Sequence, residues 1–117
     1  MEPIFDRNGR TLGWLRDEVI LDTNNRNRAF IRDESVYTYQ GQYLGRFNKG
    51  FFRDRHGNSV AFIQGASGGP ITPIPEIPPI PPIPPISPIP PIPQIPPIPP
   101  ISSLGWSTLS WEQFLVP

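Results

Sequence analysis

The sequence predicts an all-β fold: four sequential 16-residue β-hairpin repeats around a pseudo-fourfold axis, followed by a polyproline II tail and a short aromatic C-terminal segment. Two observations predict it. Residues 4–67 fall into four blocks of sixteen that align without a gap. In residues 71–101 isoleucine takes every third position, eleven times without a miss, and proline takes nearly all the rest. A chain of 117 residues has room for one small domain and such a tail.

The blocks are IFDRNGRTLGWLRDEV, ILDTNNRNRAFIRDES, VYTYQGQYLGRFNKGF and FRDRHGNSVAFIQGAS. Their first column is apolar: Ile4, Ile20, Val36 and Phe52. The third column is Asp6, Asp22, Thr38 and Asp54. The fifth and sixth hold Asn8-Gly9, Asn24-Asn25, Gln40-Gly41 and His56-Gly57. Such pairs tolerate the positive φ that tight hairpin turns require. A second strand follows, and a polar pair such as Asp17-Glu18, Asp33-Glu34 or Lys49-Gly50 leads into the next block. One hairpin alone is marginal. Four in series can share a core and close on themselves, which removes the sheet edges.

Column ten is small throughout: Gly13, Ala29, Gly45 and Ala61. The expected reason is repeat-axis packing, where only Gly or Ala fits a close approach of strands. Columns one and twelve (Leu15, Ile31, Phe47 and Ile63) form the expected apolar layer. Trp14, Phe30 and Phe62, with Arg46 in the third block, then fall on the other face of the second strand. That face is a candidate surface for the isoleucine stripe to cover.

Proline fixes φ near the polyproline II value and holds its predecessor extended. Three residues per turn bring all the isoleucines to one side of a rod roughly 95 Å long. A compact domain of this size is far shorter. The rod is therefore expected to project, bend or pack against other chains. Its candidate self-association residues are Ile71, Ile74, Ile77, Ile80, Ile83, Ile86, Ile89, Ile92, Ile95, Ile98 and Ile101. Thr72, Glu76, Ser87 and Gln94 interrupt the prolines but leave the isoleucine column intact. Collagen is excluded because its axis needs glycine, and an unpaired polyproline backbone does not suit a membrane.

The Gly-rich run at 64–70 redirects the chain after the repeats. Past the rod the composition turns aromatic. Ser110 and Gln113 have capping-box spacing, which predicts a helical turn over 111–115. Trp106, Leu109, Trp111, Phe114 and Leu115 form a candidate C-terminal anchor onto an apolar surface. The chain thus divides into a four-hairpin repeat domain at 1–67, a Gly/Pro joint at 68–70, an Ile-Pro-Pro rod at 71–101 and the anchor at 102–117.

Composition narrows the function. Ten Lys and Arg balance ten Asp and Glu, so charge gives no argument for nucleic acid. Without cysteine there is neither a disulfide framework nor a thiolate metal site. The N-terminal residues lack the apolar core of a signal peptide, which makes the cytoplasm the default expectation. The recurring Asp6, Asp22 and Asp54 are too sparse for a calcium loop, and Asp beside a turn more often accepts local backbone N–H groups. His56 is the single histidine and has no visible nucleophile or orienting partner. No cofactor is expected.

The D-x-N-G and L-G-W hairpin blocks, the S-G-G-P joint and the closing L-S-W-E-Q-F at 109–114 together resemble the bacterial 4-fold beta flower proteins. The resemblance spans nearly the whole chain. It implies four hairpins arranged as petals, and it implies no activity or catalytic residue. The expected function is therefore non-catalytic: a structural protein that self-assembles into an oligomer or filament as the isoleucine face packs on neighbouring chains. Two alternatives stand beside it. The rod can present P-x-x-P to a foreign SH3-like or WW-like groove, although residues 68–104 lack the basic residue such ligands usually carry. The repeat domain can instead hold a small ligand on its axis.

Overall fold

In the computed structural model, eight strands form one closed antiparallel barrel in sequence order. The structure describes every residue except Pro82, Pro84 and Pro85, so that part of the expected rod lies outside the described residues. The strands are β1 (Glu2–Phe5), β2 (Thr11–Arg16), β3 (Val19–Asp22), β4 (Asn27–Arg32), β5 (Ser35–Tyr37), β6 (Tyr43–Asn48), β7 (Phe51–Arg53) and β8 (Ser59–Phe62). One short helix, α1 (Trp111–Leu115), follows the tail. Each block contributes one hairpin. Phe5 of β1 pairs with Phe62 of β8 and closes the sheet, with the two rings 5.6 Å apart.

Every hairpin carries the same irregularity. Column one pairs with column ten, as Ile4 with Gly13, Ile20 with Ala29, Val36 with Gly45 and Phe52 with Ala61. The register then slips by one residue, so Phe5 faces Thr11 and Leu12 is left over. The residues left over in the other hairpins are Arg28, Leu44 and Val60. A bulge of this kind bends a strand and re-aims its side chains. Here it brings Leu44 and Val60 into the same cluster as columns one, ten and twelve, with Leu12 packed against it.

Column ten explains itself through its neighbours. Ala29 and Ala61 are wholly buried in the central cluster. A Cβ on Gly13 would lie 2.1 Å from the Leu21 carbonyl oxygen, and one on Gly45 would lie 2.0 Å from that of Arg53. The crowding at the two glycines is thus between adjacent strands of the sheet, where the expectation placed it across the axis.

The third column repeats one turn four times. The Asp6 carboxylate accepts N–H from Asn8 and Arg10, and Asp22 accepts from Asn24 and Arg26. The Thr38 hydroxyl accepts from Gln40 and Gln42, and Asp54 accepts from His56 and Asn58. The residue after each pair, or the second of it, also closes a backbone bond to the same column, such as Gly9 N–H to Asp6 C=O at 2.9 Å. These side chains hold the turns in shape, as Asp does beside hairpins generally.

Helix α1 closes the turn-side end of the barrel. Ser110 caps it with both bonds of a capping box: its hydroxyl accepts the Gln113 N–H, and its own N–H donates to the Gln113 side chain. Trp111, Phe114 and Leu115 enter the central cluster, with the Trp111 ring 5.2 Å from Phe52. Phe114 lies against Gly45, whose lack of a side chain makes room for it. At the opposite end column twelve is left around an open mouth.

Candidate functional site

The tail lies against its own domain and touches the four hairpin turns in order. The Glu76 N–H donates to the Gly9 carbonyl at 2.8 Å, and the Glu76 carboxylate accepts the Thr11 N–H at 2.8 Å. The Gln94 N–H donates to the Gly41 carbonyl at 2.9 Å, and its side-chain oxygen accepts the Tyr43 N–H at 2.9 Å. The Ser103 N–H donates to the Gly57 carbonyl at 3.0 Å. These three residues fall on a nine-residue spacing, 76, 94 and 103, whose remaining place is position 85. That place is a proline, which has no N–H to give.

The second turn is joined differently. Where the other blocks have glycine it has Asn25, whose side-chain amide donates to the Ile83 carbonyl at 2.6 Å. Ser87 adds a hydroxyl bond to the Asn27 side chain at 3.0 Å. A second nine-residue series runs through the carbonyls. Cβ atoms on Gly9, Gly41 and Gly57 would meet the carbonyl oxygens of Ile74, Ile92 and Ile101 at 2.8, 3.1 and 2.5 Å. Ile83 completes that series, and Asn25 meets its carbonyl with a donor.

One guanidinium holds both ends of the tail. Arg53 is 2 % exposed and donates to the carbonyls of Gly57, Ser103 and Gly68, each at 2.8 Å. Its carbon lies 5.4 Å from the centre of the Phe51 ring. Burial, and then the charge of Arg46, draws its pKa down from the usual guanidinium value. In the other blocks the same column is Phe5, Leu21 and Tyr37, so the departure is visible in the sequence but its purpose is not. At the polyproline II rise, residues 68–103 would run roughly 110 Å. A ring around a molecule 37 by 35 Å across has a similar circumference.

The C-terminal segment continues from this clasp. The Ser59 N–H donates to the Gly105 carbonyl at 3.1 Å, and the Ser107 N–H returns to the Ser59 carbonyl at 2.8 Å. Ser107 also donates its hydroxyl to Asp54. Of the five anchor residues, Trp111, Phe114 and Leu115 are buried, Trp106 is half-buried against Phe51 and Phe62, and Leu109 is exposed. Arg28, the bulge residue that stands where the other blocks have an apolar one, pairs with Glu112 of α1 through both terminal guanidinium nitrogens. That bond holds the Glu112 carboxyl below its usual range and raises the Arg28 pKa. The bond from Thr11 does the same to the Glu76 carboxyl.

All eleven isoleucines point away from the domain and are 93–97 % exposed. The expected cover of Trp14, Phe30 and Phe62 by the isoleucine stripe is therefore wrong. Those three residues are buried, but not by isoleucine. The physical reason lies in the tail's hydrogen bonds. The carbonyls of the isoleucines just named and the N–H groups of Glu76, Gln94 and Ser103 must face the turns. Thr72, Pro75, Pro78, Ser87, Pro90 and Pro93 then become half-buried beside the domain, and the isoleucine column is turned outward.

Four bulged hairpins closed into an eight-stranded barrel define a small β-repeat class of protein. Residues 2–115 match the family described as 4-fold beta flower protein, and the chain belongs to that family. No curated protein and no solved structure matches it. Among the described residues, no group of three or more His, Cys, Asp or Glu is placed to hold a metal ion. Among the same residues, no helix is long and apolar enough to cross a membrane.

Proposed function

We propose that this protein is a non-catalytic assembly protein whose outward isoleucines pack on neighbouring copies of the same chain. The observation that carries the reading is the exposure of all eleven isoleucines in a tail whose other side is already engaged. Soluble monomers rarely expose apolar patches beyond a few hundred Å², and larger ones mark interaction sites. Burying one isoleucine contributes about 1.5–3 kcal/mol. Association itself costs about 4–15 kcal/mol. A single contact using a few isoleucines is therefore weak, and repeated contacts around the molecule supply the avidity. An oligomer or filament fits this arithmetic better than an isolated dimer. The reading needs no cofactor, nucleic acid or membrane.

A foreign groove that reads proline is a poorer occupant. Several of the tail prolines are half-buried against the domain, so an approaching molecule meets isoleucine first. The test is light scattering behind size exclusion, on the full chain and on a variant with Ile77, Ile80, Ile95 and Ile98 changed to serine. The full chain is expected to run well above its 13.2 kDa monomer mass and the variant to fall back to it. A full chain that stays monomeric at high micromolar concentration overturns the reading.

A further inference from the structure

We propose that the open mouth of the barrel binds a small amphiphilic organic cation, a primary amine on an apolar body. The mouth is a cavity of about 560 Å³ at the end opposite α1. Its floor is column twelve, with one side chain from each hairpin: Leu15, Ile31, Phe47 and Ile63. These residues pack against the central cluster, and only Ile31 is largely out of contact with solvent. Among the described residues, no helix closes this end as α1 closes the other.

The charged side chains that line the mouth are acidic. The acidic residues lining it are Glu2, Asp17, Glu18 and Glu34, and among the described residues no Lys or Arg lines it. Met1 lines it as well, and three of the four carboxylates, those of Glu2, Asp17 and Glu18, lie apart from the Arg46–Glu34 pair. Arg46 and Asn48 already engage Glu34, whereas Asp17 and Glu18 are exposed on the turn between β2 and β3. These carboxylates do not converge closely enough to cage a metal ion. A spread of negative charge around an apolar floor suits an ammonium group whose hydrocarbon lies inward.

The mouth is also held in shape. The Ile31 N–H donates to the Glu18 carbonyl at 2.8 Å, Phe47 to Glu34 at 2.8 Å, and Ile63 to Gly50 at 2.9 Å. Each rim turn is thus tied to the floor residue of the following hairpin. A ligand would meet a preformed site and forgo most of the ordering cost. This inference is independent of the isoleucine face and uses none of its residues.

The test is calorimetric and NMR titration of the full chain with phenylbutylammonium and, separately, with phenylbutyrate, which has a similar apolar body and the opposite charge. The ammonium is expected to bind at least about tenfold more tightly, with shifts at Leu15, Ile31, Phe47 and Ile63. The exposed double variant Asp17→Asn with Glu18→Gln is expected to narrow that preference several-fold while the fold is retained. Equal binding of the two probes, or no saturable ammonium binding at millimolar concentration, overturns the proposal. So does a preference that the double variant leaves unchanged.

Discussion

Glu76 and Gln94 make the same pair of hydrogen bonds on two different hairpins. Each donates its N–H to a turn glycine, Gly9 or Gly41, and accepts the N–H two residues further on, from Thr11 or Tyr43. They stand eighteen residues apart in the tail, while the two turns stand thirty-two apart in the repeats. Nine tail residues therefore serve one sixteen-residue hairpin. Three turns of a three-residue helix make nine, so each pin returns to the same side of the rod. The isoleucine column is a by-product of that register: a residue repeated every three positions keeps one face, and the pins have taken the other.

Removing one pin should loosen one turn. In Gln94→Ala the Tyr43 N–H, on a residue only 5 % exposed, loses its acceptor. A buried donor left unpaired costs about 1–3 kcal/mol. Urea unfolding should show a loss of that order, and Tyr43 amide exchange should rise more than exchange in β1 and β2. Gln94→Glu, which restores the arrangement found at Glu76, should recover most of the protection. An unaltered midpoint and an unaltered Tyr43 amide in the alanine variant would count against the pin.

The two pins differ in charge, and this makes the attachment at Glu76, unlike that at Gln94, sensitive to acid. The hydrogen bond from Thr11 depresses the folded-state pKa of Glu76, and the bond from Arg28 depresses that of Glu112. A carboxylate whose folded pKa is depressed stabilises the fold fully above its unfolded pKa. The contribution is lost as pH falls through the folded value. Protection at Thr11 should therefore drop below the ordinary carboxylate range, while protection at Tyr43, held by an amide, should not drop at the same step. In Glu76→Gln the acid-dependent loss at Thr11 should vanish. Amide-exchange protection factors measured across that range at both residues decide the matter.

The sequence carried the domain closely and the tail only in part. The sixteen-residue repeat, the turn pairs, the Asp column and the Ser110 cap all act through neighbours in sequence, so spacing alone reveals them. Closure through Phe5 and Phe62 follows once four equal hairpins must hide their edges. The destination of the tail depended on contacts between residues far apart in sequence, such as Tyr43 with Gln94. A signal was present, because Glu76, Gln94 and Ser103 share a nine-residue spacing. Without the turn geometry nothing tied that spacing to sixteen. The apolar stripe also invited the wrong side inward, since burial normally decides which face is covered and here the hydrogen bonds did. Arg53 and Arg28 stood out as charges in apolar columns, but only their three-dimensional acceptors explain them.

Arg53 should be the point at which the tail is most easily opened. Its guanidinium serves the carbonyls of Gly57, Ser103 and Gly68, and one ammonium cannot span that fork. Arg53→Lys should therefore cost about 1.5–3 kcal/mol, the range for hydrogen bonds made by a charged group. Both ends of the tail should loosen together, so limited proteolysis should begin near residues 67–69 and 102–105 at once. Cleavage at one end alone, or a loss below about 1 kcal/mol, would show that the two ends are held separately.

The turn between β6 and β7 allows a prediction of opposite sign at adjacent residues. Lys49 and Gly50 both have positive φ, +51° and +87°. Two-residue hairpin turns with both φ positive favour Asn followed by Gly. Lysine in the left-handed region costs about 1–2 kcal/mol, and asparagine tolerates it better. Lys49→Asn should thus raise stability by about 0.5–1 kcal/mol, and by the size scaling this lifts the melting temperature of so small a domain by several degrees. Gly50→Ala should do the reverse. Its new Cβ would lie 2.8 Å from the Ala66 Cα, at a φ that L side chains rarely adopt. The turn carbonyl that holds the Ile63 N–H at 2.9 Å would have to move with it. Thermal unfolding of the two variants should therefore shift in opposite directions, and a shift of the same sign in both would contradict the positive-φ turn assigned to these residues.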